Sequence, residues 1–107
     1  MSLDITLMVT KPVEVHNTNI THNLGKMAEA ANLYKPLWRP EELCIQWAYE
    51  LTPLLEEGIA LLESDPEQFQ QYNPENGWGS YDGFVAALKT LLQACQENPD
   101  ANLGVCR

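Results

Sequence analysis

The sequence predicts a mainly helical α+β domain, with a small sheet built from N-terminal strands and a C-terminal strand. Three observations carry this. Near the start, β-branched residues alternate with a period of two. Through the middle, apolar residues recur at helical spacing between Pro, Asn, Asp and Ser punctuation. At the end, residues 101–106 return to strand-like alternation. The order of strands, helices, strand brings the two chain ends into one sheet. No repeat or linker divides the 107 residues, so a single domain spans 1–107. At this length folding buries roughly 60–70% of the unfolded surface, enough for one core.

In residues 4–10, Ile5, Leu7 and Val9 fall on one side and Thr6, Met8 and Thr10 on the other. Lys11-Pro12 interrupts the strand because Pro has no N–H for a ladder. Residues 13–16 resume it, and Asn17-Thr18-Asn19 reads as a polar turn. Thr21 suits a helix N-cap. Leu24, Met27, Ala28 and Ala31 then share one face, up to a helix end near Asn32 or Tyr34. Gly25 weakens this helix by ~1 kcal/mol relative to Ala, or else marks tight packing.

Arg39-Pro40-Glu41-Glu42 reads as the start of a long helix, with Pro at the first position and acids at the positive end of the dipole. Its apolar stripe is Cys44, Trp47, Ala48, Leu51, Leu55, Ile59 and Leu62. Pro53 interrupts the stripe and predicts a kink, or a restart capped by Thr52. Asp65-Pro66-Glu67-Gln68 starts a further helix of one or two turns. Residues 73–79 form the most loop-like stretch. Ser80 caps the next helix, whose row of Phe84, Val85, Leu88, Leu91, Leu92 and Cys95 is the strongest amphipathic pattern in the chain. Asn98-Pro99-Asp100 stops it. The final strand, with Leu103 and Val105 on one face, lies beside residues 4–10 or 13–17, parallel or antiparallel.

Six Lys and Arg stand against 15 Asp and Glu, a formal charge of −9. The excess is local. Residues 1–39 carry a net +1, residues 40–88 contain ten acids and no Lys or Arg, and residues 89–107 balance. Such a chain lacks the clustered cations that nucleic acid requires, and its field repels an anionic membrane. No apolar run approaches the ~20 residues of a membrane span. The start has no signal-peptide pattern. Cys44, Cys95 and Cys106 are odd in number, without a CxxC pair, which fits a reduced, cytoplasmic protein without a disulfide framework.

The densest polar stretch is residues 16–23, which hold both histidines and three asparagines at a predicted strand-to-helix junction. Such junctions gather side chains around one spot and suit polar ligands. An imidazole such as His22 suits general acid–base work near neutral pH. The plain alternative is that Asn17, Asn19 and Thr21 satisfy turn and cap hydrogen bonds. The two histidines and scattered cysteines have no zinc-like spacing, so neither a metal nor a cofactor is expected. Gly77, Gly79 and Gly83 fall as GxGxxxG rather than the dinucleotide pattern. Acids surround them, which excludes a phosphate loop there unless residues 11–39 supply cations. Trp78 either plugs the core or stacks on a partner, and Trp47 belongs to the core by its place in the stripe. Trp38-Arg39 holds the entry to the long helix, with Arg39 facing an acid from the middle segment.

Three stretches carry a resemblance. They are Asn19-Ile20-Thr21-His22-Asn23-Leu24 with Met27-Ala28, Leu37-Trp38-Arg39-Pro40-Glu41-Glu42, and Asn73-Pro74 with Asn76-Gly77-Trp78-Gly79-Ser80-Tyr81. Together they resemble a family of small uncharacterised bacterial and bacteriophage-encoded proteins, from about residue 13 onward. The resemblance implies a bacterial or phage-type cytoplasmic protein and carries over no catalytic residue.

The leading expectation is a non-enzymatic module that binds a small polar ligand or a protein. The candidate residues are His16, Asn19, His22, Asn23 and Arg39 on one side and Asn76, Trp78 and Tyr81 on the other. The alternative is an acidic interaction module taking a basic partner through Glu42, Glu50, Glu56, Glu57 and Glu63, whose plain reading is a solvated face. A small His-dependent enzyme comes third, because no nucleophile, metal set or carboxylate pair accompanies His22. The oligomeric state has no sequence signal.

Overall fold

A computed structural model describes residues 2–8, 14–74, 77 and 79–106, with backbone alone at 14 and 15. Strands β1 (Ser2–Met8), β2 (Glu14–Thr21) and β3 (Asn102–Cys106) form one antiparallel sheet in the order β2-β1-β3. The architecture is α+β, as expected, and the C-terminal strand lies beside the first strand. Leu3, Ile5 and Leu7 are buried while their neighbours are half-exposed, so one face of β1 meets the core. The register sets Leu3 opposite Ile20, Ile5 opposite Thr18 and Val105, and Leu7 opposite His16 and Leu103. Val9 to Val13, including the Lys11-Pro12 break, lie outside the described residues.

The polar turn expected at Asn17-Thr18-Asn19 does not exist; these residues continue β2. Strand geometry resolves their polarity by turning alternate residues to opposite faces. Thr18 points inward, is buried, and is met by the His16 Nε2. Asn19 points outward and donates across the ladder to Ser2 Oγ at 2.8 Å and Asp4 Oδ1 at 2.7 Å. A polar run thus satisfies itself on strand β2, where composition alone suggests a turn.

After β2 the chain makes a 3-10 turn (His22–Leu24) and helix α1 (Gly25–Ala30). Leu24, Met27, Ala28 and Ala31 are buried, as their spacing predicts. Gly25 is not a packing contact: an added Cβ would find only Tyr34 Cε1, at 3.9 Å. Asn32 turns left-handed with φ 61, a conformation Asn tolerates. A short unanticipated helix α2 (Tyr34–Trp38) follows.

The long helix expected from Arg39-Pro40 is a correction. Pro40 opens a single 3-10 turn (Pro40–Leu43), which ends at left-handed, exposed Cys44. Residues 45–47 are not helical: Leu103 N donates to Gln46 O at 2.8 Å, and Trp47, extended at φ −113 and ψ 151, bridges to Asn102. The sheet edge therefore claims this stretch, and Trp47 is half-buried rather than core. Helix α3 (Ala48–Ser64) begins only afterwards. Glu50 Oε1 accepts from the Gln46 and Trp47 amides at 3.1 and 3.0 Å, which is one half of a capping box.

The restart at Thr52 is likewise overturned: α3 runs unbroken through Pro53, with Thr52 Oγ1 donating to Ala48 O at 3.1 Å. A helix-interior proline costs ~3 kcal/mol. Leu55, Ile59 and Leu62 beyond it are buried, each contributing roughly 1.5–3 kcal/mol, and together they outweigh that cost.

Helix α4 (Pro66–Gln70) starts as expected, Asp65 Oδ1 accepting from Gln68 N at 3.3 Å. Helix α5 (Tyr81–Glu97) starts on Ser80, whose Oγ accepts from Gly83 N at 3.1 Å. Helices α3 and α5 pack against each other, and α5 lies on β2. Ala48 N donates to Ala101 O, while the Tyr81 hydroxyl donates to Leu62 O at 2.7 Å. The start of each helix thus meets the end of the other, so they run antiparallel.

Candidate functional site

The site is a corner where β2 hands over to α1. Thr21 caps the turn: its Oγ1 accepts from Asn23 N at 3.4 Å and Asn23 Nδ2 at 3.2 Å. Burial of Leu24, Met27 and Ala28 fixes the inner face of this segment. His22 and Lys26, one turn apart, therefore share the outer side with Asn23.

The facing wall comes from the end of α4. Buried Phe69 anchors it, and tight turns follow, with Tyr72 N and Asn73 N donating to Phe69 O and Gln70 O at 3.0 Å each. Asn73 Oδ1 accepts from Tyr81 N at 2.8 Å, tying this wall to the start of α5. Only an oxygen can meet a backbone N–H, so the orientation of the Asn73 amide is settled and its NH2 group stays available.

The loop before α5 also reaches the junction. Gly79 has φ +108, and a Cβ there would lie 2.8 Å from Thr21 Cγ2 and 3.1 Å from Leu24 Cγ. The two polar stretches thus converge through their described parts. Between them lies a cleft of about 690 Å³. His22, Asn23 and Lys26 line one side; Gln71, Tyr72, Asn73 and Pro74 line the other. A neighbouring groove of about 450 Å³ shares Lys26 and Tyr72 and adds Glu29 and Ala30.

His22 Nε2 is buried without a hydrogen-bond partner among the described residues. An orphaned buried polar group costs about 1–3 kcal/mol. The ring lies 6.1 Å from that of Trp38, tilted by 58°, and Trp38 stacks on Tyr34 at 5.4 Å. Tilted aromatic contact is favourable but second-order beside a lost hydrogen bond. Among the described residues Lys26 forms no ion pair, whereas Lys35 and Arg39 meet Glu42 at 3.9 Å and Lys89 meets Glu63 at 3.0 Å.

Of the expected site residues, the structure brings His22 and Asn23 to the cleft. His16 and Asn19 belong to the strand network of β2 instead. Arg39 faces Glu42, an acid of the middle segment, as read from the sequence, and does not line the cleft. Tyr81 serves the scaffold through its hydroxyl bond to Leu62 O. Burial first, then the charges of Glu63 and Asp82, push its phenol pKa up, against a smaller opposing effect of Lys89. Asn76 and Trp78 lie outside the described residues. The cleft adds Lys26, Gln71 and Tyr72. For Lys26 the available signal was its place four residues after His22; Gln71 and Tyr72 gave none beyond preceding Asn-Pro.

No nucleophilic side chain among the described residues hydrogen-bonds to His22. Among the described residues no group of three or more His, Cys, Asp and Glu could hold a metal, and no helix is long and apolar enough to cross a membrane. The described lining of the cleft presents hydrogen-bonding groups and the charge of Lys26. No family model matches the sequence, and no curated protein or solved structure does either.

Proposed function

We propose that this chain is a binding module whose cleft between residues 22–26 and 71–74 takes a small polar ligand. One observation carries the reading: the described parts of both polar stretches line the same cleft. Its volume falls within the range of roughly 300–1,000 Å³ typical of small-molecule sites. Its lining mixes an aromatic ring with amide, imidazole and ammonium groups, the few convergent polar groups that fix a ligand's orientation. Resemblance to small bacterial and phage proteins belongs to the same proposal and brings no residue role with it.

The acidic-surface alternative has less support. Glu42 and Glu63 are in ion pairs and Glu50 caps α3, which leaves Glu56 and Glu57 of the five glutamates without a bonding role.

The test is an amide NMR titration of the protein with amino acids, sugars, nucleosides and small organic acids. Binding that shifts residues 22–26 and 71–74, and that Tyr72→Ala abolishes in a still-folded protein, is the expected result. Shifts confined to the outer faces of α3 and α4, or no binder in the panel, would overturn the reading.

A further inference from the structure

We infer that the ligand of this cleft carries an oxyanion, a carboxylate or phosphate group, held by Lys26 and by the Asn73 amide, both of which line it. The inference rests on the cleft being the binding site and adds the charge class of what enters it.

The first argument is electrostatic. In a chain with 15 acids and six bases, a lysine has many carboxylates to meet. The other three described cations each have one, and Lys26 has none among the described residues. Lys26 also lines the larger cleft, and no described residue of that lining is a carboxylate. A full charge facing uncharged polar groups is the arrangement that an incoming anion completes. Among the described residues, Glu29, one turn along α1, lines the neighbouring groove with Lys26 but makes no ion pair with it.

The second argument concerns donors. The Asn73 oxygen is occupied by Tyr81 N, so the amide presents N–H groups to any ligand. Lysine offers three N–H donors and no acceptor. These two groups therefore favour an acceptor-rich ligand over a donor-rich one. The cleft is far larger than a bare ion, so the oxyanion is the head group of a larger polar molecule that extends along Tyr72 and Pro74.

The experiment follows the side-chain amide signals of Asn23, Gln71 and Asn73 during titration with succinate, inorganic phosphate and neutral succinamide. Succinate or phosphate should shift the Asn73 and Gln71 signals saturably. Lys26→Gln should weaken that binding about tenfold or more, as expected for loss of a charge-assisted hydrogen bond. Lys26→Arg should retain it, and Glu29→Gln should leave it equal or tighter. Stronger binding of succinate assigns the head group as carboxylate, and stronger binding of phosphate assigns it as phosphate. Three results overturn the inference: succinamide matching succinate, Lys26→Gln binding as wild type, or no response of the cleft to either anion. The first leaves the cleft standing as a site for neutral ligands. The metabolite panel judges the cleft itself, so the two failures are distinguishable.

Discussion

The α3–α5 pair and the corner formed by residues 21–26, 71–74 and 79–80 are built from opposite materials. Each helix of the pair has 17 residues and buries a continuous apolar row. Its surface lysine, Lys89, meets Glu63. The corner uses elements of three to six residues, with side chains capping its turns and, among the described residues, a buried histidine nitrogen without a partner and a lysine without a carboxylate. Short helices are marginal by themselves and persist through tertiary packing. The corner is thus held by its attachments to the pair, Tyr81 N to Asn73 and Gly79 against Thr21, and its own polar groups are left for recognition. Stability and recognition occupy different parts of a small protein.

The largest effect should come from the pair. Leu88 is fully buried on α5, so Leu88→Ala should cost about 2–5 kcal/mol in urea unfolding. Lys26→Gln at the exposed corner should stay within about 0.5 kcal/mol of wild type. Equal costs for the two would erase the contrast.

Gly79→Ala attacks the seam between the regions. Positive φ and the approach to Thr21 combine to a cost of about 1–3 kcal/mol. Hydrogen exchange should accelerate at Asn23 and Leu24 while the interior amides of α5 stay protected. Equal acceleration in both would mean that corner and pair open as one unit.

A smaller effect is expected at Asn73. Asn73→Ala leaves Tyr81 N unmet in the first turn of α5, at about 1 kcal/mol. Asn73→Asp keeps an acceptor and adds a charge favourable at that helix end, so unfolding stability should return. The same carboxylate facing the cleft should weaken succinate binding. A variant that restores both stability and binding would unlink the corner from its anchor.

The pair was largely legible in the sequence and the corner only in part, for a physical reason. Leu88, Leu91 and Cys95 repeat at helical spacing, and burial follows from that period alone. Asp65 and Ser80 announce their helices because a cap is a local hydrogen bond. The misses were non-local. Nothing near Gln46 and Trp47 reveals that Asn102 and Leu103 bind them at the sheet edge, which displaces the start of α3. Gly58 rather than Gly25 makes a close approach within a helix, because Leu33 packs where its Cβ would be. In the corner, His22 and Asn23 stood out by composition, while Lys26, Gln71 and Tyr72 join them only through folding.

The smallest effect is an alkaline one, and it too separates the regions. Cys95 is fully buried on α5, and that burial pushes its thiol up to about 11 from 9.0. The folded state holds this proton more tightly than the unfolded chain. Its contribution to stability is therefore complete below pH 9, declines as the unfolded thiol ionises, and is lost by pH 11. The decline should approach about 1 kcal/mol per pH unit within that window. Cys95→Ala should lower stability at pH 7 through lost packing yet flatten the limb between pH 9 and 11, measured by urea unfolding across pH. A limb unchanged in Cys95→Ala would assign the effect to Tyr81, whose buried phenol is shifted in the same direction. Either assignment places the alkaline sensitivity in α5. Corner variants without a titrating group, such as Gly79→Ala, should leave the limb untouched, and one that moved it would show the two regions to be coupled.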